Sequence, residues 1–202
     1  MCDPTVSVCS TSSTATRKIT LGPETIWMYP AIFQPNFDGY RFPPKFGVRL
    51  LIDKSDEVTV IAIQQEIAAV MMRNYNMLYR GRPQVTIYSG PMHDGDREYP
   101  GHPAYKGMYY LDARTRFIPR IIDKYCAPVT DPEAVHSGCR GHATVSFRPF
   151  AVGANRGVSC TLHALQLMSD GLIPARPDNE PQCVLNLPPY ARYGGVPDDP
   201  CY

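Results

Sequence analysis

The chain has 202 residues, a formal net charge of +1, 44% hydrophobic residues and 19% charged residues. This length accommodates one domain with a substantial core, and the composition excludes a chain that is disordered throughout. Because the net charge is close to zero, a polyanionic partner must be held by a locally basic face and not by overall attraction.

Residues 1–17 are mostly small and polar and show no periodicity, which predicts an unpacked N-terminal arm. The arm has no hydrophobic signal core, and no run of about eighteen apolar residues occurs anywhere in the chain. We therefore expect an intracellular protein without a membrane partner. The seven cysteines are an odd number without a secretion signal, which favours free thiols over a disulfide framework.

Stretches rich in β-branched and aromatic residues predict strands in the middle of the chain. They are Thr25 to Phe33, Phe46 to Asp53, Gln84 to Tyr88, Gly107 to Ala113, Phe117 to Ile122, Ala143 to Phe150 and Val158 to Leu165. Apolar and polar residues alternate in the second and the last of these, so one face of the predicted sheet is buried and the other is largely polar.

One segment, residues 56–74, has the apolar period of a helix. Its apolar face consists of Val60, Ile63, Ile67, Val70 and Met71. Ser55 is the predicted N-cap, and Asp56 and Glu57 complement the positive end of the helix.

Strands on both sides of a single helix predict a mostly β domain. We expect an OB-type (oligonucleotide-binding) β-barrel with one amphipathic helix and extended N- and C-terminal arms. A β-sandwich with a lone helix remains open. The chain from Pro174 onwards is rich in proline and predicts an extended tail. The expected organisation is an arm of residues 1–17, a domain of residues 18–173 and a tail of residues 174–202.

Five short motifs follow one another within the predicted domain. They are Lys54-Ser55-Asp56, Asp94-Gly95-Asp96, Tyr110-Leu111-Asp112-Ala113, Ser137-Gly138-Cys139 and the bend FAVGANRG of residues 150–157. In order and spacing they resemble a family of phage-encoded single-stranded DNA-binding proteins of the domain-of-unknown-function type. The bend departs from the family pattern in having Phe150 in place of tyrosine and Arg156 in place of lysine.

This resemblance covers about residues 18 to 173. It implies an OB-type fold similar to that of short-tailed-phage replication proteins. It also implies a non-enzymatic, sequence-independent protein that coats single strands in phage DNA replication or recombination, in the cytoplasm of the infected host cell and without a cofactor.

The segment from Lys106 to Arg156 is basic, since its eight basic and four acidic residues give a net charge of +4. Single-strand binding needs cations for the phosphates and flat aromatic faces for unpaired bases. Alternation along the predicted strands places several such side chains on the outward face. The predicted nucleic-acid-binding residues are Arg49, Tyr110, Arg114, Arg116, Arg120, Arg148, Phe150 and Trp27.

Some of these predictions depend on local geometry. Arg114, Arg116 and Arg120 flank Phe117 on a predicted hairpin, and Trp27 shares one face of the first strand with Tyr29. For each residue taken singly, a solvated arginine or a packed aromatic side chain remains the alternative.

Two groups of residues have the chemistry of metal ligands. Cys139-x-x-His142 and Cys160-x-x-His163 contain zinc ligand types, but residues three apart on a strand face opposite sides and cannot reach one ion. The loop from His93 to Asp96 has carboxylates for a divalent cation, yet Asp-Gly is a common turn dipeptide. We expect no metal site, and a metal-dependent nuclease using this loop is the alternative function. A structural or assembly protein is a third reading, suggested by the Pro-rich ends.

The C-terminus, with Asp198, Asp199 and Tyr202, looks like a short version of the acidic, aromatic-tipped tails by which many single-strand-binding proteins recruit replication proteins. A plain unpacked end is the alternative. The expected partners are therefore single-stranded DNA and, through the tail, replication proteins. The sequence leaves a homo-oligomer open.

Overall fold

The computed structural model describes residues 16–36, 44–79, 88–152 and 155–171. The strands are β1 (Lys18–Thr20), β2 (Ile26–Asn36), β3 (Lys45–Asp53), β4 (Tyr88–Ser89), β5 (Met92–Asp94), β6 (Met108–Thr115), β7 (Arg120–Ile122), β8 (Arg140–Val152) and β9 (Asn155–Ser169). The helices are α1 (Glu57–Arg73), α2 (Tyr75–Tyr79) and α3 (Gly95–Glu98), and 3₁₀ turns occur at Pro103–Tyr105 and Pro132–Ala134.

Five strands form a closed ring. Strands β2, β3, β6, β9 and β8 pair in that order, and β8 returns to β2 through Arg140 and Ile26. A hydrogen bond from the Trp27 N–H to the Cys139 carbonyl extends this closure. Neighbours in the ring are antiparallel except β6 and β9, which are parallel. One continuous ring with a helix against it agrees with the predicted OB-type barrel and not with the two facing sheets of a sandwich.

The apolar side of each strand faces the inside of the ring. In β3, Val48, Leu50 and Ile52 are buried in the core as their alternation predicted, and Arg49 lies on the outer side. The core also contains Leu21, Trp27, Leu111, Phe147 and Leu162. Full burial of side chains of this size contributes about 1.5–3 kcal/mol each. The core thereby fixes which side chains of every strand point outward.

Helix α1 extends within one residue of the predicted segment at each end. Its N-cap is Asp56, whose carboxylate accepts a hydrogen bond from the Thr59 N–H at 3.1 Å, so the predicted cap at Ser55 is wrong by one residue. The helix contacts β8 and β9.

One buried residue of α1 is charged, which the apolar pattern did not predict. The Glu66 carboxylate lies 2.6 Å from the guanidinium of Arg73 and 3.8 Å from that of Arg17. These partners compensate the cost of burying a carboxylate, and Arg17 attaches the start of the domain to the helix. Among the described helices, none has the length and apolarity to cross a bilayer.

The strand predictions differ from the structure at β1, β5 and β7. Strands β1 and β5 were missed, because three residues are too few to show alternation. Residues 84–87 of one predicted strand lie outside the described residues. The strand predicted from Phe117 begins only at Arg120. The hairpin predicted there is wrong as well, because β6 and β7 both run parallel to β9 and do not turn back on each other.

Candidate nucleic-acid interface

A single row of residues crosses the outer side of the barrel from β3 to β1. The register joins Gly47 of β3 to Arg114 of β6, and Arg114 to Thr161 of β9. It continues from Thr161 to Ser146 of β8, and from there to Lys18 of β1. Adjacent strands are about 4.8 Å apart, so Arg114 and Lys18 are separated by about 14 Å. The sheet thus brings together two cations that are distant in the sequence.

Other cations lie on the same side, a few residues further along the strands. Arg148 is paired with Ser159 across β8 and β9, and Arg120 of β7 is paired with Ala164. Arg116 follows the last residue of β6 and is exposed. We call the exposed cations Lys18, Arg114, Arg116, Arg120 and Arg148 the basic strip. The structure therefore places three of the predicted residues, Arg114, Arg120 and Arg148, on one face and leaves Arg116 exposed next to them in the chain, whereas Lys18 was missed together with β1.

The electrostatic character of this face is visible at His163. Its Nε2 atom lies 2.7 Å from the Ser146 hydroxyl. Burial, followed by the nearby charges of Lys18 and Arg148, lowers the pKa of His163 below its ordinary value. Burial has the larger effect, and the positive charges of Lys18 and Arg148 lie close enough to His163 to disfavour its protonated form further. Phe150 lies at one end of this face, opposite Gly157, and is partly exposed.

A second group on the outer side is centred on Arg49. Its guanidinium donates two hydrogen bonds to the Asp112 carboxylate, at 2.7 and 3.1 Å. It donates one more to each of the hydroxyls of Tyr99 and Tyr105, at 2.9 and 3.0 Å. The guanidinium carbon also lies 4.4 Å from the centroid of the Tyr110 ring. We call Arg49, Tyr29, Tyr99, Tyr105 and Tyr110 the tyrosine cluster.

The polar groups of this cluster are bonded within the protein. Burial alone would lower the pKa of Arg49, but the hydrogen bonds with Asp112 and Tyr105 raise it above its ordinary value. Tyr110 is buried beneath His93, whose ring stacks on it with 4.8 Å between centroids. The Tyr110 hydroxyl donates to Glu98, and burial together with this carboxylate raises the pKa of Tyr110. Arg49 and Tyr110 thus lie on the predicted face, but the ring of Tyr110 is covered.

The sequence placed Trp27 in the interface, and the structure places it in the core. Trp27 is 0% exposed, and its indole N–H donates to the Gly141 carbonyl at 3.3 Å. A ring without exposed area has no face to offer a base, so this prediction is wrong. Trp27 and Tyr29 do not share a face, because the register of β2 shifts between Met28 and Ala31. Pro30 inside the strand was the available signal for that irregularity.

Tyr29 is the exposed aromatic residue that this irregularity produces. Its backbone has a φ of 51°, which is uncommon for a residue with a Cβ, and its side chain is 45% exposed. The Tyr29 N–H donates to the hydroxyl of Ser137 at 2.9 Å. The Ser137-Gly138-Cys139 motif therefore holds the strained turn that directs Tyr29 outward.

Two further motifs meet in an ion pair. The ammonium group of Lys54 lies 2.6 Å from the Asp94 carboxylate and 2.7 Å from that of Asp96. The hydrogen bond from Lys54 lowers the pKa of both carboxylic acids. Asp94 also caps α3 by accepting from the Asp96 N–H. This arrangement fixes residues 95–105, which supply Tyr99 and Tyr105. Only the density of aromatic residues in that loop could have indicated them.

The candidate metal ligands are engaged in separate contacts. Cys160 is buried in the core, where burial raises the pKa of its thiol. The Cys139 thiol accepts from the His136 N–H, and His142 hydrogen-bonds the Leu21 carbonyl. Within the described residues no three side chains of metal-ligand type are grouped.

Comparison with known proteins gives a family match over most of the chain. The family model described as Enterobacter phage Enc34, ssDNA-binding protein, matches residues 17–176. Protein p50 of Acyrthosiphon pisum secondary endosymbiont phage 1 is 29% identical over 149 residues, which are 71% of this chain and 79% of p50.

Two solved structures have the same fold. The single-stranded DNA-binding protein of bacteriophage Enc34, in complex with ssDNA, is 15% identical with a TM-score of 0.68, and the match covers 85% of this chain and 99% of that one. The single-stranded DNA-binding protein gp2.5 of bacteriophage T7 is 13% identical with a TM-score of 0.60, and the match covers 81% of this chain and 96% of that one. At these identities the likeness shows the fold alone.

Proposed function

The chain belongs to the family of the Enterobacter phage Enc34 ssDNA-binding protein, and we propose that it is a non-catalytic, sequence-independent single-stranded DNA-binding protein. The process it serves is phage DNA replication or recombination in the infected host cell.

The basic strip is the observation that carries this proposal. Lys18, Arg114 and Arg148 come from three strands and face the same side of the barrel, around a histidine with a lowered pKa. Cations arranged along a face replace the counterions that DNA phosphates otherwise hold, which is the main source of sequence-independent affinity. The net charge of the chain is only +1, so this local arrangement and not overall charge must attract the strand.

Bases need aromatic faces, and the tyrosine cluster supplies two beside the strip. Tyr29 is 45% exposed and Tyr99 is 36% exposed, while the bonded centre of the cluster keeps both rings in place. The pair of Arg49 and Asp112 lies two residues along β3 and β6 from the pair of Gly47 and Arg114, which belongs to the row described above. Stacking of unpaired bases is worth about 1–3 kcal/mol per base and tolerates every base, because each has a π face. Contacts to phosphates carry no sequence information either.

A non-catalytic role agrees with the state of the His93 to Asp96 loop. Both carboxylates are paired with Lys54, and His93 is bonded to Glu98 at 2.8 Å. Magnesium would have to displace an ammonium group to bind there.

The test is a fluorescence titration of labelled oligo(dT) and of a matched duplex at two salt concentrations, with and without Mg²⁺. We expect a preference for the single strand and a steep loss of affinity with salt, with log K falling by about 0.7 per phosphate contact against log salt. We expect intact DNA after incubation with Mg²⁺. Equal affinity for both DNAs contradicts the proposal, and Mg²⁺-dependent cleavage abolished by Asp94→Asn would favour the nuclease instead.

The C-terminal tail is part of the same proposal, although Asp198, Asp199 and Tyr202 lie outside the described residues. We propose that these residues contact replication proteins. A chain ending at residue 173 should then keep its affinity for oligo(dT) and lose its effect on a phage replication reaction.

Sedimentation of the full chain with and without DNA measures the oligomeric state.

A further inference from the structure

The segment between β6 and β7 projects from the barrel wall. Both strands run parallel beside β9, where Ala113 is paired with Cys160 and Arg120 with Ala164. Arg120 is seven residues after Ala113, whereas their partners on β9, Cys160 and Ala164, are only four residues apart. The excess residues leave the wall as a loop. We call residues 116–119, with the sequence Arg-Phe-Ile-Pro, the tip.

The tip exposes two large apolar side chains and is anchored at both ends. Phe117 is 81% exposed and Ile118 is 76% exposed. The Phe117 N–H donates to the hydroxyl of Thr115, the last residue of β6, and Pro119 is buried at the other end. Exposure of two adjacent apolar side chains forgoes the stabilisation that burial would give them. An anchored loop that presents them to solvent is therefore suited to bury them against a partner.

The surroundings of the tip specify the chemistry of that partner. Residues 113–122 contain Arg114, Arg116 and Arg120 and no acidic residue. The rows of Arg114 and Arg120 are three residues apart along β9, at Thr161 and Ala164, which corresponds to about 10 Å. The tip lies between these two rows of the basic strip. An apolar pair between arginines matches a DNA strand, whose bases are apolar on their faces and whose backbone is anionic.

We propose that the tip is a wedge that enters between two adjacent bases of the bound single strand. Phe117 stacks on one base and Ile118 fills the gap beside it, while Arg116 and Arg120 contact the phosphates on either side. Apolar side chains of these types, Phe, Ile and Pro, are those that proteins insert between base steps. A flat aromatic ring alone would serve for stacking, whereas an adjacent branched aliphatic side chain favours separation of the bases. This inference rests on the proposed function, because it requires the strand to lie along the basic strip.

The test uses an oligonucleotide with two adjacent 2-aminopurine bases, whose stacking quenches their fluorescence. Binding of the wild-type chain should raise this fluorescence as a base step is opened. The double variant Phe117→Ser/Ile118→Ser should bind with about tenfold lower affinity, equivalent to about 1.4 kcal/mol, and without the fluorescence increase at saturation. Met72→Ser is the control, since Met72 is an apolar side chain of similar exposure, 77%, on α1 and belongs to neither the tip nor the strip. It should behave as the wild type.

A second variant provides a readout that is independent of affinity. Trp27 is the single tryptophan of the chain and is fully buried. In Phe117→Trp, added fluorescence from the tip should therefore be quenched when oligo(dT) binds, with affinity retained. Since the substitutions leave the core unchanged, the circular dichroism spectra of these variants should match that of the wild type, and a difference would reveal misfolding.

The outcomes separate the wedge from the proposed function. A wild-type chain that does not bind oligo(dT) contradicts the proposed function. Normal binding with an undiminished fluorescence increase in the double variant overturns the wedge alone. The wedge is also overturned if the tip instead mediates self-association that the double variant abolishes, or attachment to anionic lipid vesicles.

Discussion

The tyrosine cluster and the basic strip lie side by side on one face of the barrel, and their arginines differ in exposure. The Arg49 side chain is 19% exposed, whereas the arginines of the strip are all exposed. The guanidinium of Arg49 donates to a carboxylate and two hydroxyls. In the strip, Arg148 has Ser159, Lys18 has Ser146 and Arg120 has Ala164 as its register neighbour, and none of these neighbours carries a charge. An arginine on the proposed binding face is therefore not by itself expected to be a DNA ligand, because a guanidinium that donates four hydrogen bonds within the protein contributes through the shape that it maintains.

Most of the sequence motifs lie around the tyrosine cluster and not around the basic strip. The ion pair of Lys54 with Asp94 and Asp96 positions the loop that carries Tyr99, and the Ser137 hydroxyl holds Tyr29. The Tyr110-to-Ala113 motif supplies a covered ring and the carboxylate that binds Arg49. Four of the five motifs thus position the exposed tyrosines, and we do not expect them to contact DNA themselves.

The largest expected effect is that of removing Arg49. Arg49→Ala leaves the Asp112 carboxylate and the Tyr99 and Tyr105 hydroxyls without their shared donor, so the free energy of unfolding should fall by about 3 kcal/mol. Urea unfolding measures this loss. Asp112→Asn in the same background should restore part of it, because the unpaired charge is then gone. At a temperature where Arg49→Ala is folded, oligo(dT) affinity should fall only about threefold, or about 0.7 kcal/mol, because the exposed rings of Tyr29 and Tyr99 remain but are held less firmly. A large loss of affinity with unchanged unfolding would reverse the roles of the two regions.

The barrel and the strip could be predicted from sequence because both follow from alternation. Val48, Leu50 and Ile52 mark the inner side of β3, and the same period on β6 and β8 places Arg114 and Arg148 outward. Trp27 was misplaced because a register shift at Pro30 breaks the period within its strand. Lys18 was missed because β1 pairs through only three residues and has no pattern to read.

The tyrosine cluster could not be predicted because its members come from segments that tertiary contacts alone bring together. Tyr105 lies in an irregular loop, and nothing in the local sequence indicates that its hydroxyl meets Arg49, more than fifty residues away. The same applies to the hydrogen bond between Tyr29 and Ser137. Periodicity reports which side of a strand is buried, and it contains no information on which loop covers the other side.

The next largest effect is expected in the basic strip. Lys18→Ser/Arg148→Ser removes two phosphate contacts of about 1 kcal/mol each, so affinity for oligo(dT) should fall about 30-fold. The slope of log K against log salt should become shallower by about 1.4. Stability should stay within about 0.5 kcal/mol of the wild type, as for other exposed substitutions.

A matched control for the double variant is Arg140→Ser, which lies on the same strand as Arg148. Arg140 is exposed and is paired with Glu24 at 2.7 Å. Its replacement should leave the salt slope unchanged. An equal change of slope in both proteins would mean that general charge, and not the strip, attracts the strand.

A smaller effect is expected at the exposed edge of the cluster. Tyr29→Gly removes a stacking face and should lower affinity about tenfold, corresponding to about 1.4 kcal/mol. Glycine accepts the positive φ of this position without a steric cost, so stability should not fall by the amount typical of a lost tyrosine. Fluorescence titration and urea unfolding of the same preparation measure both quantities. Trp27→Phe is the opposite case, with lower stability and unchanged affinity of the folded protein. If Tyr29→Gly binds as the wild type, the cluster has no contact with bases.

The smallest effect concerns pH and His163. Its pKa is lowered in the folded chain by burial and by Lys18 and Arg148, so the unfolded chain takes up this proton more readily. Stability from this residue is therefore present above pH 6.5 and declines as the pH falls below it. Bound phosphates would neutralise the two cations and raise the pKa again. Affinity for oligo(dT) should then increase as the pH falls below about 6.5, the ordinary pKa of histidine.

The opposite signs of these two pH effects distinguish His163 from other acidic transitions. Protonation that merely unfolds the chain lowers stability and affinity together. Protonation of a histidine near cations that bind phosphates should instead lower the stability of the free chain and raise its affinity for oligo(dT). His163→Gln keeps a hydrogen-bonding group for Ser146 and cannot titrate, so both profiles should become flatter in this variant. Titrations at pH 5.5 and pH 8 at constant ionic strength measure the difference. An affinity that decreases towards acid pH in the wild type would place the strand away from His163, and hence away from the part of the strip formed by Lys18 and Arg148.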